Sequence, residues 1–336
     1  MYPKTYHSVS LESYKFLVTG GAGFIGSNLV EYLLKYGAQK VRVLDNLSTG
    51  TYDNLKEFEN NSSFEFIKGD IRDINTCKAN VEGIDIVFHE AALGSVPRSI
   101  VDPITSNEVN VSGFLNMLVA IKESNVKRMV YAASSSTYGD STELPKTEDR
   151  IGKPLSPYAV TKYVNELYAD VFSKTYNLEL IGLRYFNVFG PKQSPTGAYA
   201  AVIPKFAIQL INHESPIING DGTFSRDFTF VENVVQANIL AAFTDNSLAI
   251  NTIYNVAYGE NTNLTDLVKY LKLYLANSDS LIGQVEPEYG AMRPGDIPHS
   301  LASIEKAKKF LNYNPAFSFK QGLKIASDWY LKKYKK

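Results

Sequence analysis

Residues 15–26 read KFLVTGGAGFIG, an apolar run followed directly by a glycine-rich loop. The glycines satisfy the GxGxxG spacing from Gly21 and the GxxGxxG spacing from Gly20. The run before them predicts a buried strand, and the apolar residues at helical spacing after Phe24 predict that the loop opens a helix. Glycines let the backbone approach a pyrophosphate, and a helix N-terminus supplies amides and a positive dipole. The stretch therefore predicts a dinucleotide-binding turn.

An acidic residue follows at the distance expected of a dinucleotide site. Asp45 ends the next predicted strand, 19 residues beyond Gly26. A carboxylate at that place accepts hydrogen bonds from ribose hydroxyls and repels a 2′-phosphate. Because Asn46 and Leu47 follow it rather than an arginine, we expect NAD and not NADP. Asp70 ends the third predicted strand, where it either contacts the adenine edge or only forms a turn.

The first half of the chain alternates short β-branched runs with helical stretches. Strands are predicted over residues 15–19, 40–45, 64–69, 85–89, 128–133 and 179–184. Helices are predicted over residues 24–36, 107–124 and 157–176. This alternation predicts an α/β fold with a doubly wound parallel sheet of the Rossmann type. Loop residues become frequent after Arg184. Residues 1–188 are therefore expected to form mainly the dinucleotide-binding domain. Residues 189–336 are expected to form mainly a smaller, interleaved C-terminal α/β substrate lobe, with some segments returning to the sheet.

Composition excludes several classes of protein. The 336 residues include 34 Lys plus Arg and 35 Asp plus Glu, so no basic surplus favours nucleic acid as a partner. The single cysteine, Cys77, excludes an internal disulfide, fits a reducing compartment and is expected at an unreactive helical position. The four histidines (His7, His89, His213 and His299) lack metal-ligand spacing, so no metal is expected. No stretch resembles a signal peptide or a membrane span, which predicts a cytoplasmic protein without a membrane partner.

Tyr158 and Lys162 stand four residues apart on the third predicted helix, which places them on one helix face. Ser134, Ser135 and Ser136 follow a predicted strand whose carboxyl end should face the cofactor. Oxidation of a carbinol needs a base for the hydroxyl proton while a hydride leaves. Free tyrosine has a pKa of about 10, and the lysine ammonium and a charged nicotinamide ring are expected to lower it. Tyr158 is therefore the expected base, Lys162 its activator, and the serines contacts for the substrate hydroxyl.

Together these motifs resemble the extended short-chain dehydrogenases/reductases. The resemblance is carried by residues 19–26, 91–92, 134–139, 158–162, 184–191 and 293–296. It extends from about residue 15 to the end of the chain. For NAD it implies contacts with Gly20, Gly23, Phe24, Ile25, Gly26, Asp45, Asn46, Asp70, Ile71, Ala91, Tyr158, Lys162 and Tyr185.

Within that group the chain resembles bacterial UDP-N-acetylglucosamine 4-epimerases. The related 4,6-dehydratases typically carry an Asp-Glu pair where this chain has residues 135–137, and silent NAD-binding relatives usually lack the Tyr/Lys pair. The resemblance implies reversible 4-epimerisation of UDP-N-acetylglucosamine and UDP-N-acetylgalactosamine through a 4-keto sugar and tightly bound NAD. A UDP-glucose/UDP-galactose or UDP-uronate 4-epimerase remains an alternative, as does a silent NAD-binding module.

The resemblance also implies how the substrate is held. The expected contacts are Gly94, Ser95, Ser134, Ser135, Ser136, Tyr158, Asn187, Gln193, Ala201, Val202, Arg226, Arg293, Asp296 and Ser300. Arginine forks suit a diphosphate, and the alternative for Arg226 is an ion pair with Asp227. Ser300 stands where galactose-restricted relatives place a tyrosine, which implies room for an N-acetyl group; the alternative is an exposed loop serine.

Three further expectations concern assembly and two residues beside the cofactor. By analogy with relatives, the helices bearing residues 107–124 and Tyr158 are expected to form a four-helix bundle in a homodimer. His89 is expected to be a hydrogen-bonded histidine at a strand end. Glu90 stands where relatives usually carry Gln or Leu, and the sequence assigns it no role.

Overall fold

A computed structural model of the protein describes residues 1–196, 200–292 and 298–335. Its strands are β1 (Lys15–Thr19), β2 (Lys40–Asp45), β3 (Phe64–Lys68), β4 (Ile86–His89), β5 (Arg128–Ser134), β6 (Leu180–Tyr185), β7 (Val188–Phe189), β8 (Ile217–Asn219), β9 (Ser225–Arg226), β10 (Thr229–Phe230), β11 (Ile253–Val256), β12 (Thr262–Asn263) and β13 (Glu288–Gly290).

The helices fall between and after these strands. They are α1 (Phe24–Lys35), α2 (Ile74–Val81), α3 (Val96–Val101), α4 (Pro103–Asn107), α5 (Gly113–Lys122), α6 (Pro157–Tyr176), α7 (Val202–Ile211), α8 (Val231–Phe243), α9 (Leu264–Leu275), α10 (Glu305–Leu311) and α11 (Phe319–Tyr334). Within the described ranges, no helix combines the length and the apolar character needed to cross a membrane.

The central sheet has seven strands in the order β3-β2-β1-β4-β5-β6-β11. Every neighbouring pair in it is parallel. The predicted doubly wound, Rossmann-like α/β fold is therefore confirmed. The strand order reverses between β1 and β4, and in sheets of this kind a ligand binds outside the carboxyl ends of the strands at that point.

The side chains of a strand alternate between the two faces of the sheet, so the apolar strands place apolar side chains on both faces. Helices cover both faces. Phe16 and Val18 of β1 belong to a hydrophobic core shared with α1 and α8. Leu17, between them, belongs to a second core shared with α2, α5 and α6. A strand buried on both faces reads as a continuous apolar run, and this is why the sequence of β1 shows no polar alternation.

A third core lies in the C-terminal half, where α7, α9 and α11 pack together. Its members include Phe206, Leu271 and Leu323, all of them buried. The same half also sends β11 back to the central sheet, where it pairs with β6, and packs α8 against α1. The C-terminal half of the chain therefore shares elements with the central sheet instead of standing apart from it.

One predicted helix differs from the structure. Residues 107–124 were expected to form a regular helix, but α4 ends at Asn107, a π-helical turn covers Glu108–Ser112, and α5 follows. The buried Asn110 on this turn accepts a hydrogen bond from the Leu93 amide (2.7 Å) and donates one to Thr161 Oγ1 (3.1 Å). Such turns are frequent at functional sites, and this one ties the residues after β4 to α6.

The N-terminal segment, which reads as polar, packs on the sheet's helices through two tyrosines. Tyr2 and Tyr6 are buried and both contact the ring of Tyr32 on α1. The Tyr6 hydroxyl donates a hydrogen bond to Glu232 Oε1 of α8 over 2.8 Å. The segment thereby bridges α1 and α8.

Candidate active site

The glycine-rich loop between β1 and α1 leaves no room for a side chain at Gly20 or at Gly26. Gly20 has a φ of +67°, and a Cβ on it would lie 2.7 Å from the Ala91 nitrogen. A Cβ on Gly26 would meet the Gly20 carbonyl oxygen. The Gly23 amide donates to that same oxygen over 3.0 Å and closes the turn at the start of α1. The backbone here can approach a pyrophosphate closely, with the N-terminus of α1 directed at it.

Asp45, at the end of β2, is a buried hydrogen-bond acceptor beside this loop. Its carboxylate accepts hydrogen bonds from the Ala22 amide (3.0 Å) and the Leu47 amide (2.8 Å). Burial raises the pKa of Asp45, and the two amides act in the opposite direction. Each oxygen has one amide donor and keeps a lone pair for a ribose hydroxyl. The loop and the carboxylate together fit NAD.

Asp70, after β3, is held by its neighbours. Its carboxylate accepts hydrogen bonds from Arg72 Nη2 (2.8 Å) and Asn46 Nδ2 (2.9 Å). These contacts, with Arg72 contributing most, hold the pKa of Asp70 at about 2. Asp70 also lines a cavity at the carboxyl ends of the central strands, so it both fixes a turn and borders the expected cofactor region.

A cavity of about 490 Å³ lies at the carboxyl ends of the central strands. It is lined by all thirteen residues expected to contact NAD, from Gly20 to Tyr185. Of the expected substrate contacts it is lined by Gly94, Ser95, Ser134, Tyr158, Asn187 and Gln193. The structure therefore brings the expected cofactor and sugar residues into one continuous space.

The catalytic candidates meet where β5 ends and α6 begins. Burial raises the pKa of Tyr158, and its hydrogen bond with Ser134 acts to lower it. Lys162 donates to the Ala132 carbonyl oxygen over 2.8 Å, and burial lowers its pKa to about 8. Lys162 is not among the groups that shift the Tyr158 pKa, so the expected lowering of that pKa by Lys162 is not seen in the described structure.

The three serines after β5 do not share one position. Ser134 lines the cavity, and its Oγ accepts hydrogen bonds from the amide of Ser136 (3.1 Å) and from Ser136 Oγ (2.9 Å). Ser135 begins a 3₁₀ turn that runs to Tyr138, and neither Ser135 nor Ser136 is among the described lining residues. Ser136 thus orients Ser134, and Ser135 is the first residue of the turn.

The residues at the end of β4 differ in role. His89 Nδ1 lies 2.9 Å from Thr19 Oγ1, and burial lowers the His89 pKa to about 3, so this histidine is neutral. The expectation of a hydrogen-bonded strand-end histidine is confirmed. Glu90, in contrast, lines the cavity and accepts a hydrogen bond from the Tyr185 hydroxyl over 2.8 Å.

Cys77 is not among the described residues of the site. Cys77 lies buried on α2, donates to the Ile71 carbonyl oxygen, and has its pKa raised by burial to about 12. A thiol of that kind is protonated and unreactive at neutral pH. In the described part of the chain, no group of three or more His, Cys, Asp or Glu could hold a metal ion.

A second cavity, of about 170 Å³, opens in the C-terminal lobe and shares Asn187 with the first. Its wall includes Val202, at the N-terminus of α7, and the basic residues Lys205 and Arg226. A helix N-terminus with two cations suits a diphosphate. The structure therefore places the expected contacts Asn187, Val202 and Arg226 together.

Arg226 and its acidic neighbour have separate contacts. Arg226 Nη1 donates to the carbonyl oxygens of Ser225 (2.9 Å) and Pro298 (3.2 Å). The Asp227 carboxylate accepts hydrogen bonds from three backbone amides, those of Tyr258, Gly259 and Ala302. Asp227 is thus a backbone anchor, whereas Arg226 borders the second cavity.

The remaining expected substrate contacts after α6 are Ala201, Ser300, Arg293 and Asp296. Ala201 is exposed and caps α7, with its carbonyl oxygen accepting the Lys205 amide over 3.2 Å. Ser300 is half-buried, and its amide donates to the Ser225 carbonyl oxygen over 3.1 Å. Neither is among the described residues of the two cavities. Arg293 and Asp296 lie outside the described residues.

Several lining residues were missed from the sequence. Ser48 and Thr49 of the first cavity follow Asp45 closely, so their place after β2 was a usable signal. Val109 lies on the π-helical turn, for which apolar spacing gives no sign. Lys205 of the second cavity lies one turn into α7, where its charge beside the expected Val202 was a signal.

Comparison with known proteins agrees with this geometry. Residues 16–257 match the model of the NAD dependent epimerase/dehydratase family. A UDP-glucose 4-epimerase of Mycolicibacterium smegmatis is 34% identical over 314 residues, which cover 91% of this chain and 95% of that protein.

Two solved structures are similar over nearly the whole chain. One is a UDP-N-acetylglucosamine 4-epimerase from Methanobrevibacter ruminantium M1 in complex with UDP-N-acetylmuramic acid, with a TM-score of 0.88, 38% identity and coverage of 95% of this chain and 99% of that one. The other is a UDP-glucuronic acid 4-epimerase from Bacillus cereus in complex with UDP-glucuronic acid and NAD, with a TM-score of 0.86, 30% identity and coverage of 95% and 100%. The chain is therefore an NAD-dependent enzyme of the UDP-sugar 4-epimerase type and belongs to the NAD dependent epimerase/dehydratase family.

Proposed function

We propose that this enzyme interconverts UDP-N-acetylglucosamine and UDP-N-acetylgalactosamine by reversible oxidation at C4 of the sugar. The observation that carries the proposal is the wall of the first cavity at Gly94. Apart from its two chain neighbours, no described residue has an atom within 4 Å of the position that a Cβ on Gly94 would occupy, and Gly94 itself is exposed. Gly94 and the neighbouring Ser95 both line the cavity that holds Tyr158, so space is open on the side where the sugar is expected.

The chain's own residues supply the proton chemistry. Bound NAD takes the hydride from C4 and returns it to the opposite face after the keto sugar has turned. Tyr158, as phenolate, takes the proton of the C4 hydroxyl and later gives it back. The Ser134 hydroxyl, oriented by Ser136, contacts the same substrate oxygen. Burial lowers the pKa of Lys162 to about 8, so its ammonium is still present near neutrality. Since burial raises the pKa of Tyr158, the phenolate form also needs the positive charge of an oxidised nicotinamide ring.

The second cavity supports a nucleoside diphosphate as the carrier of the sugar. Arg226, Lys205 and the N-terminus of α7 together place positive charge on one wall. Asn187 lies in both cavities and so marks the place where the diphosphate and the sugar would join. The UDP-sugars bound in the solved relatives belong to those proteins, and they support the same assignment here.

The deciding experiment offers UDP-N-acetylglucosamine and, separately, UDP-glucose to the purified protein without added cofactor. Proton NMR follows the C4 configuration. We expect UDP-N-acetylglucosamine to reach equilibrium with its 4-epimer about tenfold faster, since an open cavity accommodates the acetamido group and hydrogen-bonds it. Faster turnover of UDP-glucose, or of UDP-glucuronate, would contradict the proposed sugar while leaving the epimerase chemistry intact.

A variant in the same assay distinguishes a change in the size of the sugar site from a general loss of activity. Ser300 lines neither described cavity, but the family resemblance places it at the 2-substituent of the sugar, so Ser300→Tyr is expected to lower turnover of UDP-N-acetylglucosamine selectively by filling the volume of the acetamido group. Ser300→Ala, which keeps the volume open, is the matched control and should retain the preference. Equal losses on both sugars in Ser300→Tyr would show that Ser300 does not gate the site.

We also propose that two copies pair through α3, α4 and α6. Apolar side chains that a monomer would leave in water lie on these three helices: Ile100 is 62% exposed, Val101 75%, Ile104 72%, Leu167 50% and Val171 54%. Exposed apolar side chains grouped on neighbouring helices are typical of a protein interface. Because α6 also carries Tyr158 and Lys162, pairing would brace the catalytic helix.

The pairing has a direct test in solution. The double variant Val101→Asp/Leu167→Asp is expected to run as a monomer in size-exclusion chromatography with light scattering, because two buried carboxylates would face the partner. Leu248→Asp is the control, since Leu248 is 74% exposed but lies outside these helices. A monomeric parent protein, or a dimer that persists in the double variant, would refute this interface.

A further inference from the structure

Glu90 has an unusual set of contacts in the first cavity. It follows β4, and the Tyr185 hydroxyl donates to its Oε1 over 2.8 Å. That hydroxyl in turn accepts a hydrogen bond from Asn238 Nδ2 over 2.8 Å. Because Asn238 occupies the hydroxyl as a donor, the single tyrosine proton is committed to Glu90. The carboxyl group is therefore held in place by Tyr185 of β6, which is in turn held by Asn238 of α8.

The surroundings of Glu90 belong to the reactive end of the site. Ser134, Tyr158 and Lys162 line the same cavity, and so does Tyr185. Lys162 is the one lysine or arginine among the described residues of its wall. The charge at this end of the cavity therefore depends on Lys162 and Glu90.

The titratable groups facing Glu90 come from its own strand, from β6 and from α6. His89 is neutral, since burial lowers its pKa to about 3. Burial raises the pKa of both Tyr158 and Tyr185. Lys162 has a pKa of about 8, lowered by burial, and the charge of Glu90 acts to raise it. Burial raises the pKa of Glu90 itself to about 7, against the hydrogen bond from Tyr185 and the charge of Lys162.

We propose that Glu90 sets the preference of the site for oxidised over reduced nicotinamide. The oxidised ring carries a positive charge and the reduced ring does not, so a nearby carboxylate stabilises the first and hardly affects the second. The inference rests on NAD as the cofactor, which family membership establishes, and not on which sugar is epimerised. Its consequence for the reaction is that the keto sugar is reduced again promptly, because the site favours return of the hydride.

The effect of Glu90 on the bound ratio of NADH to NAD is expected to depend on pH. Below about pH 7, Glu90 is mostly protonated and the site gains little preference for the oxidised ring. As the pH rises through about 7, the carboxylate forms and the bound ratio of NADH to NAD falls. A glutamine at this position keeps the size and the acceptor for Tyr185, but it carries no charge at any pH.

The test measures bound nucleotide and not turnover. Wild type, Glu90→Gln and the control Glu82→Gln, an exposed carboxylate, are equilibrated with equal NAD and NADH at pH 6 and pH 8 without sugar. Bound nucleotides are then separated and quantified. We expect a bound NADH-to-NAD ratio about tenfold higher in Glu90→Gln than in wild type at pH 8, and a much smaller difference at pH 6. Glu82→Gln should match wild type, because its carboxylate lies outside the cavity.

Equal ratios in wild type and Glu90→Gln at both pH values would overturn the proposal. Should Glu90→Gln bind neither nucleotide, Tyr185→Phe gives the same information, because it keeps the carboxylate and removes its hydrogen bond. Loss of that bond raises the Glu90 pKa, so the midpoint of the pH profile is expected to move upward; an unchanged midpoint would also overturn the proposal. Since no sugar is present, these outcomes are independent of the proposed substrate.

Discussion

Tyr158→Phe is expected to lower kcat for 4-epimerisation by about a thousandfold, within the range that a general acid–base group contributes. The variant loses only the hydroxyl that takes the C4 proton, while the ring still fills its place beside Ser134. NAD should remain bound, because the glycine loop and Asp45 are untouched. The measurement is single-turnover and steady-state kinetics by NMR, with nucleotide content determined after denaturation.

The control for this variant is Tyr163→Phe, on the same helix. Tyr163 lines a separate cavity with Glu166 and Arg184, not the one that contains Tyr158. Removal of its hydroxyl should leave kcat within about twofold of wild type, since surface and peripheral changes have small effects. Near-wild-type turnover in Tyr158→Phe would reject Tyr158 as the base, and equal losses in both variants would point to a disturbed helix.

The second large effect concerns stability. Glu166 on α6 and Arg184 on β6 form a buried ion pair, each side chain only 3% exposed. Two hydrogen bonds join them, from Arg184 Nε (2.9 Å) and Nη2 (2.8 Å). Glu166→Ala leaves the guanidinium buried without its carboxylate, and this costs about 3–5 kcal/mol of unfolding free energy. Urea unfolding followed by circular dichroism measures the loss.

An exposed ion pair on the same helix provides the comparison. Asp170 and Lys174 are joined over 2.7 Å, but their side chains are 54% and 72% exposed. Asp170→Ala should therefore lower stability by only a small fraction of the Glu166→Ala effect, since water screens exposed pairs. Similar losses in the two variants would mean that burial of the Glu166–Arg184 pair does not govern its contribution.

The strands and helices whose apolar residues follow a regular pattern could be predicted from the sequence. β1 is buried on both faces, so its apolar run stood out, and α6 has the bounds predicted for it, Pro157–Tyr176. The glycine loop was predictable for a different reason, because only glycine tolerates the contact between residues 20 and 91. Because the strands could be predicted one by one along the chain, their carboxyl ends could be predicted too, and with them the positions of Asp45 and Ser134.

Other features depend on contacts between distant parts of the chain and left no local signal. Tyr185 and Glu90 are 95 residues apart in sequence, so nothing near Glu90 foretells their hydrogen bond. The burial of Tyr2 and Tyr6 likewise depends on α1 and α8, which the short N-terminal segment does not reveal. Three consecutive serines could not be told apart by sequence, because the 3₁₀ turn that separates them is set by backbone geometry.

The π-helical turn at Glu108–Ser112 bears on how this chain can tolerate changes of length. A π turn holds one residue more than a regular helical turn, so deletion of one residue there would restore an ordinary helix. A π turn takes up its extra residue locally, so the helices on its two sides would keep their relative orientation after such a deletion. The residues that would change place are those of the turn itself, among them Val109 of the cavity wall and Asn110, which joins Leu93 to Thr161. A change of length here would therefore alter the site more than the packing of α5, although the sequence looks like an ordinary amphipathic segment.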